Sequence, residues 1–303
     1  MSVALPKIRV GDPLRHEALA VFPLFSESNG EIDYRLADAA LADESLLVGE
    51  ISEGGSVPDL LVENRGDRRV IFLEGEELVG AKQNRILNTS VLVAAHAKIK
   101  IPVSCVEQGR WGYKSRYFGS SGSHSPSKLR RALKASVSQS VKQERGYVSD
   151  QGEVWQAVAC LHSVHGVASA SGAMSDAFHA YDDRIGDYRE KLKYVEGASG
   201  VAVAIGEKVV AIDVFDKPAT CQKVCDRLLS GVVFDALEAG ASEKAASVAD
   251  VEQLVATTAE LPWEKSQAVG EGEEYRAQSV GGDHASALAF DETIVHGSVV
   301  AGV

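Results

Sequence analysis

One stretch of the chain concentrates most of the side chains that could do chemistry. Residues 70–111 are VIFLEGEELVGAKQNRILNTSVLVAAHAKIKIPVSCVEQGRW, so an acidic turn, a Lys-Gln-Asn-Arg run and a Cys-x-Glu strand fall within apolar β-type sequence. Polar groups that interrupt apolar strands are costly to bury unless they have partners. The sequence therefore predicts a pocket or a tightly specified turn in this stretch.

Three side chains in this stretch have the chemistry of catalytic groups. Glu76 and Glu107 could act as acid or base, and nearby cations could favour the thiolate of Cys105 and make it a nucleophile. The two-residue period of KIKIPVSCVE places Cys105 and Glu107 on one apolar strand face. The favoured alternatives are structural, with Glu107 in a buried ion pair and Cys105 as a small core residue.

A second group of side chains suits the binding of an anionic molecule. The amide and cationic groups of the Lys-Gln-Asn-Arg run could hold a phosphate, a carboxylate or a ribose, or could fix neighbouring strands. The candidate ion-pair partners of Glu107 are Lys82 and Arg85 of this run, and Arg110. The candidate ligand-binding residues are Glu74, Lys82, Gln83, Asn84, Arg85, Arg110 and Trp111.

The acidic turn at residues 74–77 is the nearest approach to a metal site. Its carboxylates could hold a cation or a hydroxyl, but a solvated turn with salt bridges to Lys82 or Arg85 is favoured. His162 and His165 lack the third ligand of a zinc motif, and the four cysteines are scattered without paired spacing. The sequence therefore predicts no metal site and identifies no cofactor.

Charge is distributed unevenly along a chain whose formal net charge is −12. Between Arg110 and Arg145 there are nine basic residues and one acid, which gives this segment a charge of about +8. It begins with RWGYKSRYF, whose cations and aromatics could stack on a nucleobase or form an interface between copies of the chain. The acidic remainder argues against nucleic acid as a partner, and we expect an anionic small molecule and a homo-oligomer.

Hydrophobic periodicity predicts an α+β fold with an antiparallel β-rich N-terminal half, sandwich-like or strongly curved, then a helical middle and C-terminal strands. We expect a β-rich region over 1–111, a flexible Gly/Ser-rich loop over 112–127, and a mixed region over 128–303 packed with the first as one unit. Hairpins are predicted at residues 64–67 and 206–207.

Helices are predicted at about 128–141, 151–165, 173–195, 216–238 and 242–259. In the first, Leu129 and Leu133 belong to the apolar stripe and Lys134 faces elsewhere. No apolar run is long enough for a membrane span, and the N-terminus does not resemble a signal peptide. We therefore expect a cytoplasmic protein with reduced thiols.

Three segments resemble a bacterial family, the ADP-ribosylglycohydrolase and rhodanese-phosphatase associated proteins. They are SEGGSVPDLLVENRGDRRVIFLEGEELVGAKQNRILNTS, IPVSCVEQGRW and GVAVAIGEKVVAIDVFDKP. The resemblance implies a link to NAD or ADP-ribose metabolism through gene association, and it assigns no catalytic role. The residues on motif positions are Glu74, Gly75, Glu76, Gly80, Lys82, Gln83, Asn84, Arg85, Cys105, Glu107, Arg110 and Trp111.

Two functions from different classes follow from these observations. The first is a protein that binds or processes an ADP-ribose-like or other phosphorylated small molecule in a pocket lined by residues 74–111. The second is a noncatalytic regulatory or scaffold protein that self-associates through the same residues. The residue types are compatible with an enzyme and with a binding protein alike.

Overall fold

The computed structural model describes residues 6–27, 30–240 and 244–302. Its strands, in chain order, are β1 (Ile8–Val10), β2 (Leu14–His16), β3 (Leu19–Ser26), β4 (Tyr34–Leu36), β5 (Leu46–Glu50), β6 (Asp59–Asn64), β7 (Arg69–Phe72), β8 (Glu76–Gly80), β9 (Arg85–Leu87), β10 (Val91–Val93), β11 (Lys98–Cys105), β12 (Phe118–His124), β13 (Gly200–Ile205), β14 (Lys208–Phe215), β15 (Glu264–Gln267), β16 (Glu273–Gln278), β17 (His284–Phe290) and β18 (Thr293–Val300). Its helices are α1 (Ala37–Ala42), α2 (Ser127–Lys142), α3 (Gln151–Val164), α4 (Met174–Ala180), α5 (Asp182–Lys191), α6 (Pro218–Ala239) and α7 (Val248–Ala259). The predicted α+β class, with strands at both ends and helices in the middle, is confirmed.

The chain divides into two compact units. The central unit comprises residues 33–182 and 268–271, and the terminal unit comprises the residues up to 32, 183–267 and those from 272 onward. The division into regions at residues 111 and 127, packed as one unit, stays a prediction. The terminal unit is discontinuous in sequence because its N-terminal strands pair with strands from the C-terminal half.

In the terminal unit, one antiparallel sheet has the strand order β1-β3-β13-β14-β18-β17-β16-β15, and β2 pairs with β3. Its apolar side chains, among them Phe22, Leu24 and Ile212, pack with Val251 of α7 in one core. The predicted hairpin at residues 206–207 is confirmed by the pairing of β13 with β14. Pro218 begins α6, where its fixed φ and missing N–H are tolerated.

In the central unit, a six-stranded antiparallel sheet has the order β12-β8-β9-β11-β6-β5, and a three-stranded sheet has the order β10-β7-β4. A core that includes Val48, Val62, Phe72 and Val103 fills this unit. Only the pairing of β4 with β7 is parallel within this unit's described residues. The site residues of the 74–111 stretch all belong to this unit.

The predicted hairpin around residues 64–67 is wrong, because β6 and β7 belong to different sheets. The Asn64 amide explains why the chain leaves the first sheet here. Its Nδ2 donates to the carbonyls of Arg68 at 2.9 Å and Ala94 at 2.8 Å, which closes a local turn between the two strands. Similarly, the apolar stretch at residues 85–93 divides into β9 and β10, which also pair in different sheets.

Three further boundaries differ from prediction. Residues 118–124, assigned from their glycines and serines to a loop, form β12 and pair with β8. The helix predicted over 173–195 is interrupted at Tyr181 and forms α4 and α5. Helix α7 begins at Val248 behind a capping box of Ser247 and Asp250, while residues 242–243 of its predicted start lie outside the described residues.

Across the described ranges, every helix is too short or too polar to cross a membrane.

Candidate functional site

The candidate site lies where the β8–β9 connection meets the end of β11. In β9, Arg85 is paired with Leu78 of β8 on one side and with Cys105 of β11 on the other. The connection turns sharply at Gly80 and Ala81, whose φ angles are +123° and +35°. This pairing brings the Lys-Gln-Asn-Arg run beside the Cys-x-Glu segment, as the sequence analysis expected of a pocket or turn.

The carboxylate of Glu107 is held by four donors. Arg110 donates from Nε to Oε1 at 2.8 Å and from Nη2 to Oε2 at 2.6 Å. The Asn84 backbone N–H donates to Oε2 at 3.0 Å, and Ser171 Oγ donates to Oε1 at 2.8 Å. Burial disfavours the charge, but the hydrogen bonds from Arg110, Asn84 and Ser171 outweigh it and lower the pKa of Glu107. The predicted ion pair is thus present, and Arg110 is its partner.

Arg110 also fixes the β8–β9 connection. Its guanidinium donates to the carbonyls of Gly80 at 3.1 Å and Ala81 at 2.6 Å, and to Asn84 Oδ1 at 3.1 Å. Because one side chain satisfies several turn carbonyls and a buried carboxylate together, it has an architectural role whatever else the site does.

Gln83 joins Arg85 to Cys105. Its Oε1 accepts from Arg85 Nη1 at 3.1 Å and from Cys105 Sγ at 3.3 Å, while its Nε2 donates to the Glu107 carbonyl at 2.9 Å. Arg85 and Cys105 are both fully buried. Burial lowers the pKa of Arg85, and the nearby Cys105, Glu50 and Glu107 oppose that shift. The thiol that sequence analysis offered as a nucleophile therefore has a buried cation in the adjacent strand.

Lys82 and Trp111 lie at the surface side of this cluster. Lys82 Nζ donates to the Glu53 carbonyl and lies 5.2 Å from the centre of a Trp111 ring. The Arg85 guanidinium lies 5.9 Å from the centre of a Trp111 ring. The Lys82 backbone N–H donates to Glu50 Oε1 at 3.4 Å. Two cations of the predicted binding run are therefore stacked against the same indole.

The acidic turn is buried, which corrects the expectation that it would be solvated and paired with Lys82 or Arg85. Glu74 instead forms an ion pair of 2.7 Å with Lys134 of α2, and both side chains are almost inaccessible to solvent. Glu76 is buried as well. Helical periodicity predicted that Lys134 faces away from the apolar stripe. Its side chain nevertheless faces the protein interior, where it contacts the buried carboxylate of Glu74.

Glu77, in β8, is a further residue of interest that the sequence pattern did not single out. It is 1% exposed, and its carboxylate oxygens have no hydrogen bond of acceptable geometry within the described ranges. Burial raises the pKa of Glu77 to about 8; Ser121 and Asn84 oppose the shift and the charge of Glu107 adds to it. The two-residue period of β8 could have identified Glu77 as a separate candidate, because alternation places its side chain on the opposite sheet face from that of Glu76.

An open groove of about 920 Å³ lies beside Lys82 and Trp111. It is lined by Gly49, Glu50, Ser52, Glu53, Tyr113, Lys114, Ser115, Arg116 and Tyr117. Tyr113 lies 5.1 Å from Lys82 Nζ and Arg116 stacks on Tyr117 at 5.1 Å. Trp111, Tyr113 and Tyr117 are 50%, 55% and 38% exposed and are the exposed large aromatics of the described residues.

The chain was compared with protein families, curated proteins and solved structures. The sequence model of the ARG and Rhodanese-Phosphatase-superfamily-associated Protein domain matches residues 7–300. The chain belongs to this family. No curated protein and no solved structure matches it.

In this family member, the predicted site residues separate into three places. Gln83, Asn84, Arg85, Cys105, Glu107 and Arg110 form one buried network, and Lys82 and Trp111 lie between that network and the groove. Glu74 and Glu76 lie apart in the buried turn, where Glu74 contacts α2. Among the residues that the structure describes, no group of three or more His, Cys, Asp or Glu side chains could hold a metal ion.

Proposed function

We propose that this protein binds a phosphorylated small molecule with an aromatic base, such as ADP-ribose, in the groove beside Trp111. One observation carries the proposal: the exposed Tyr113 and Tyr117 line one groove with Lys114 and Arg116. The exposed Trp111 lies beside that groove, since Lys82 contacts both Trp111 and Tyr113. Clustered exposed apolar side chains, especially where polar residues surround them, mark interaction sites and ligand-binding grooves. The family name, which associates the domain with ARG proteins, supports the choice of ADP-ribose among such molecules.

The groove offers a distinct contact for each part of such a ligand. A base could stack on Tyr113 or Tyr117, because stacking on aromatic side chains tolerates any base. Phosphates could pair with Lys114 and Arg116, and ribose hydroxyls could donate to the carboxylate of Glu50. The volume of about 920 Å³ is in the range of pockets that hold ligands of this size.

Catalysis by Glu76, Glu107 or Cys105 is a weaker part of the proposal than binding. Both carboxylate oxygens of Glu107 already accept hydrogen bonds, and the Cys105 thiol is fully buried. A general base must reach the proton that it removes, and a nucleophile must reach its electrophile. Binding in the groove requires neither residue to move. We also place this binding in the cytoplasm, since all four cysteines are free thiols, as in a reducing compartment.

The second candidate function is a noncatalytic scaffold that self-associates. It is supported by the same exposed segment, because aromatic residues and arginine are enriched at protein interfaces. An acidic surface on a second copy could pair with Lys114 and Arg116. The buried network is then architecture that holds the segment in position.

Titration with ADP-ribose, NAD, AMP and inorganic phosphate, followed by thermal unfolding and calorimetry, tests the first candidate. A ligand at about 100 times its Kd stabilises the folded state by about 2.7 kcal/mol, which should raise the Tm by several degrees. Tyr113→Ala and Arg116→Gln should each weaken ADP-ribose binding about 10-fold. Arg131→Gln, outside the groove lining, is the matched control and should bind normally.

An unchanged Tm with all four compounds would contradict the binding proposal. A molecular mass that rises with protein concentration, and that Tyr113→Ala returns to the monomer value, would favour the scaffold.

A further inference from the structure

The guanidinium of Arg85 is satisfied along only one edge. Its Nη1 donates to Gln83 Oε1 at 3.1 Å and to the Asn84 carbonyl at 3.4 Å. Its Nε and Nη2 have no hydrogen-bond partner anywhere in the described ranges, although the side chain is 0% exposed. Buried polar groups in native proteins nearly always have partners. The unused edge of Arg85 is therefore a pair of donors for which the described residues supply no acceptor.

The unused edge has the geometry of an oxyanion site. Nε and Nη2 of one guanidinium form the planar fork that binds two oxygens of a phosphate or carboxylate. Gln83 holds Nη1 in place, so the orientation of the fork is fixed before any ligand arrives. Cys105 shares that same Gln83 oxygen and reinforces its position.

An unpartnered acceptor accompanies these donors. Glu50 Oε2 is buried and has no hydrogen-bond partner among the described residues, while its Oε1 accepts from the Lys82 backbone. A Cβ added to Gly55 would lie 3.3 Å from Glu50 Oε2 and 3.1 Å from Trp111 Cζ2, so Glu50 and Trp111 both lie close to that backbone. Since Trp111 also lies against Lys82 and Arg85, the acceptor and both cations lie around one indole.

We propose that Arg85 Nε and Nη2 bind a phosphoryl group of the ligand, and that Glu50 Oε2 accepts a hydrogen bond from a sugar hydroxyl of the same molecule. This inference deepens the proposed function and rests on it: it names a sugar phosphate as the part of the ligand that is held beneath Trp111. Lys82 and Arg85 place two positive charges at the indole, which favours a doubly charged phosphate over a carboxylate.

Trp111 is the cover of this subsite. Its ring is half exposed while the Arg85 guanidinium behind it is inaccessible, so rotation of one surface side chain is the motion that admits the phosphate. Side-chain rotation at the surface takes nanoseconds or less. No change in the buried network is required, because Gln83, Asn84 and Arg110 keep their present bonds.

The test uses the full chain labelled with ¹⁵N-arginine and follows the Nε–Hε resonances by NMR. Inorganic phosphate should shift the Arg85 resonance. This resonance is assigned by its loss in Arg85→Lys and, independently, by contacts between Arg85 Hε and the Trp111 indole protons. Ribose 5-phosphate should bind about 10-fold more tightly than phosphate, through the added hydrogen bond to Glu50. Glu50→Gln should abolish that advantage, and ribose alone should give no shift.

Arg131→Lys is the matched control, because Arg131 lies on α2 outside the groove lining and the variant leaves Arg85 intact; the phosphate-induced shift of Arg85 should survive it. A shift of Arg116 without one of Arg85 would overturn the inference, and so would an equal response to acetate. If ADP-ribose raises the Tm but does not shift the Arg85 resonance, the inference fails and the proposed function stands. If ADP-ribose, NAD and AMP all have no effect in any assay, the proposed function itself fails, whatever phosphate does at Arg85.

Discussion

At the scale of residues, the central unit accommodates three of its buried glutamates in two ways, by an ion pair with a cation or by keeping the proton. Glu107 is ionised and held by Arg110, and Glu74 is paired with Lys134. Among the described residues, Glu77 has no ion pair with a cation. Burial is the main cause that raises the pKa of Glu77 to about 8. A buried carboxyl group without a counter-charge keeps its proton, because desolvation disfavours the charged form.

The protonated state of Glu77 predicts a pH dependence of stability. The folded chain holds this proton up to about pH 8, whereas the unfolded chain releases it near pH 4.5. The folded state therefore binds more protons between these values, and the free energy of unfolding should fall as pH rises, by up to about 1.4 kcal/mol per pH unit. Glu77→Gln, which cannot titrate, should flatten this dependence in urea unfolding measured from pH 5 to 8.

Glu153→Gln is the control for this experiment, because Glu153 lies exposed on α3 in the same unit. It should leave the slope of stability against pH unchanged. A wild-type slope that persists in Glu77→Gln would show that Glu77 is ionised in the folded state.

The ion pair of Glu74 with Lys134 predicts a strong dependence of stability on both partners. Lys134→Met leaves a carboxylate buried without this cation and should lower the free energy of unfolding by about 3–5 kcal/mol. The double variant Glu74→Gln with Lys134→Met should recover most of that loss in urea unfolding. Arg131→Met, on the same helix, should cost much less.

The alternative role of Glu74 as a ligand-binding residue gives a different result. Glu74→Gln would then lose ADP-ribose binding at unchanged stability.

The residue chemistry of the site was largely visible in the sequence, but the partnerships were not. The ion pair of Glu107 could be anticipated because a carboxylate at the end of an apolar strand needs a cation, and Arg110 was one of three candidates. The ion pair of Glu74 with Lys134 could not be anticipated, because it joins a turn to a helix 60 residues away in sequence. Helical periodicity reports which face is apolar and says nothing of a buried charge on the opposite side.

At the scale of elements, the local signals predicted the helices and hairpins better than the sheet partners. Helices α2 and α3 and the β13–β14 hairpin follow from patterns within 20 residues. The assignment of β6 and β7 to separate sheets depends on pairing with β11 and β10, which no local pattern encodes. Strand β12 was missed because glycine and serine disfavour strands locally, while its pairing with β8 overrides that preference.

The β17–β18 hairpin predicts a gain in stability from a change of turn residues. Its two-residue loop places Asp291 and Glu292 at φ +47° and +62°, between the paired Phe290 and Thr293. Such turns favour Asn-Gly, because residues with side chains resist positive φ. Replacing Asp291 and Glu292 by Asn and Gly should stabilise the terminal unit by about 0.5–1 kcal/mol and raise its Tm by about 2–4 °C.

Glu292→Ala is the control for this hairpin, since it retains a Cβ at positive φ and should give no such gain in scanning calorimetry. An equal rise in Tm from Glu292→Ala would mean that the removed charge, and not the backbone conformation, limits this turn.

At the scale of the whole molecule, three of the nine basic residues of the 110–145 segment are taken up by the protein interior or by a buried ion pair. Arg110 is paired with Glu107, and Lys134 and Arg130 are buried. The cations that face the groove are Lys114 and Arg116, together with the exposed aromatics beside them. The part of this basic segment that lines the groove is therefore reduced to two cations, while Lys128, Lys142 and Arg145 are exposed outside the groove lining.

This reduction lets hydrogen exchange distinguish the two proposed functions in the intact chain. If the groove binds ADP-ribose, saturating ligand should slow amide exchange in residues 49–55 and 111–117 and leave the nine-stranded sheet of the terminal unit unchanged, because bound states protect what they contact. If the segment is a self-association surface, raising the protein concentration without ligand should protect residues 111–117 instead, and Tyr113→Ala should remove that protection. Protection spread evenly over both units in either titration would contradict both assignments, since each confines the contact to one groove.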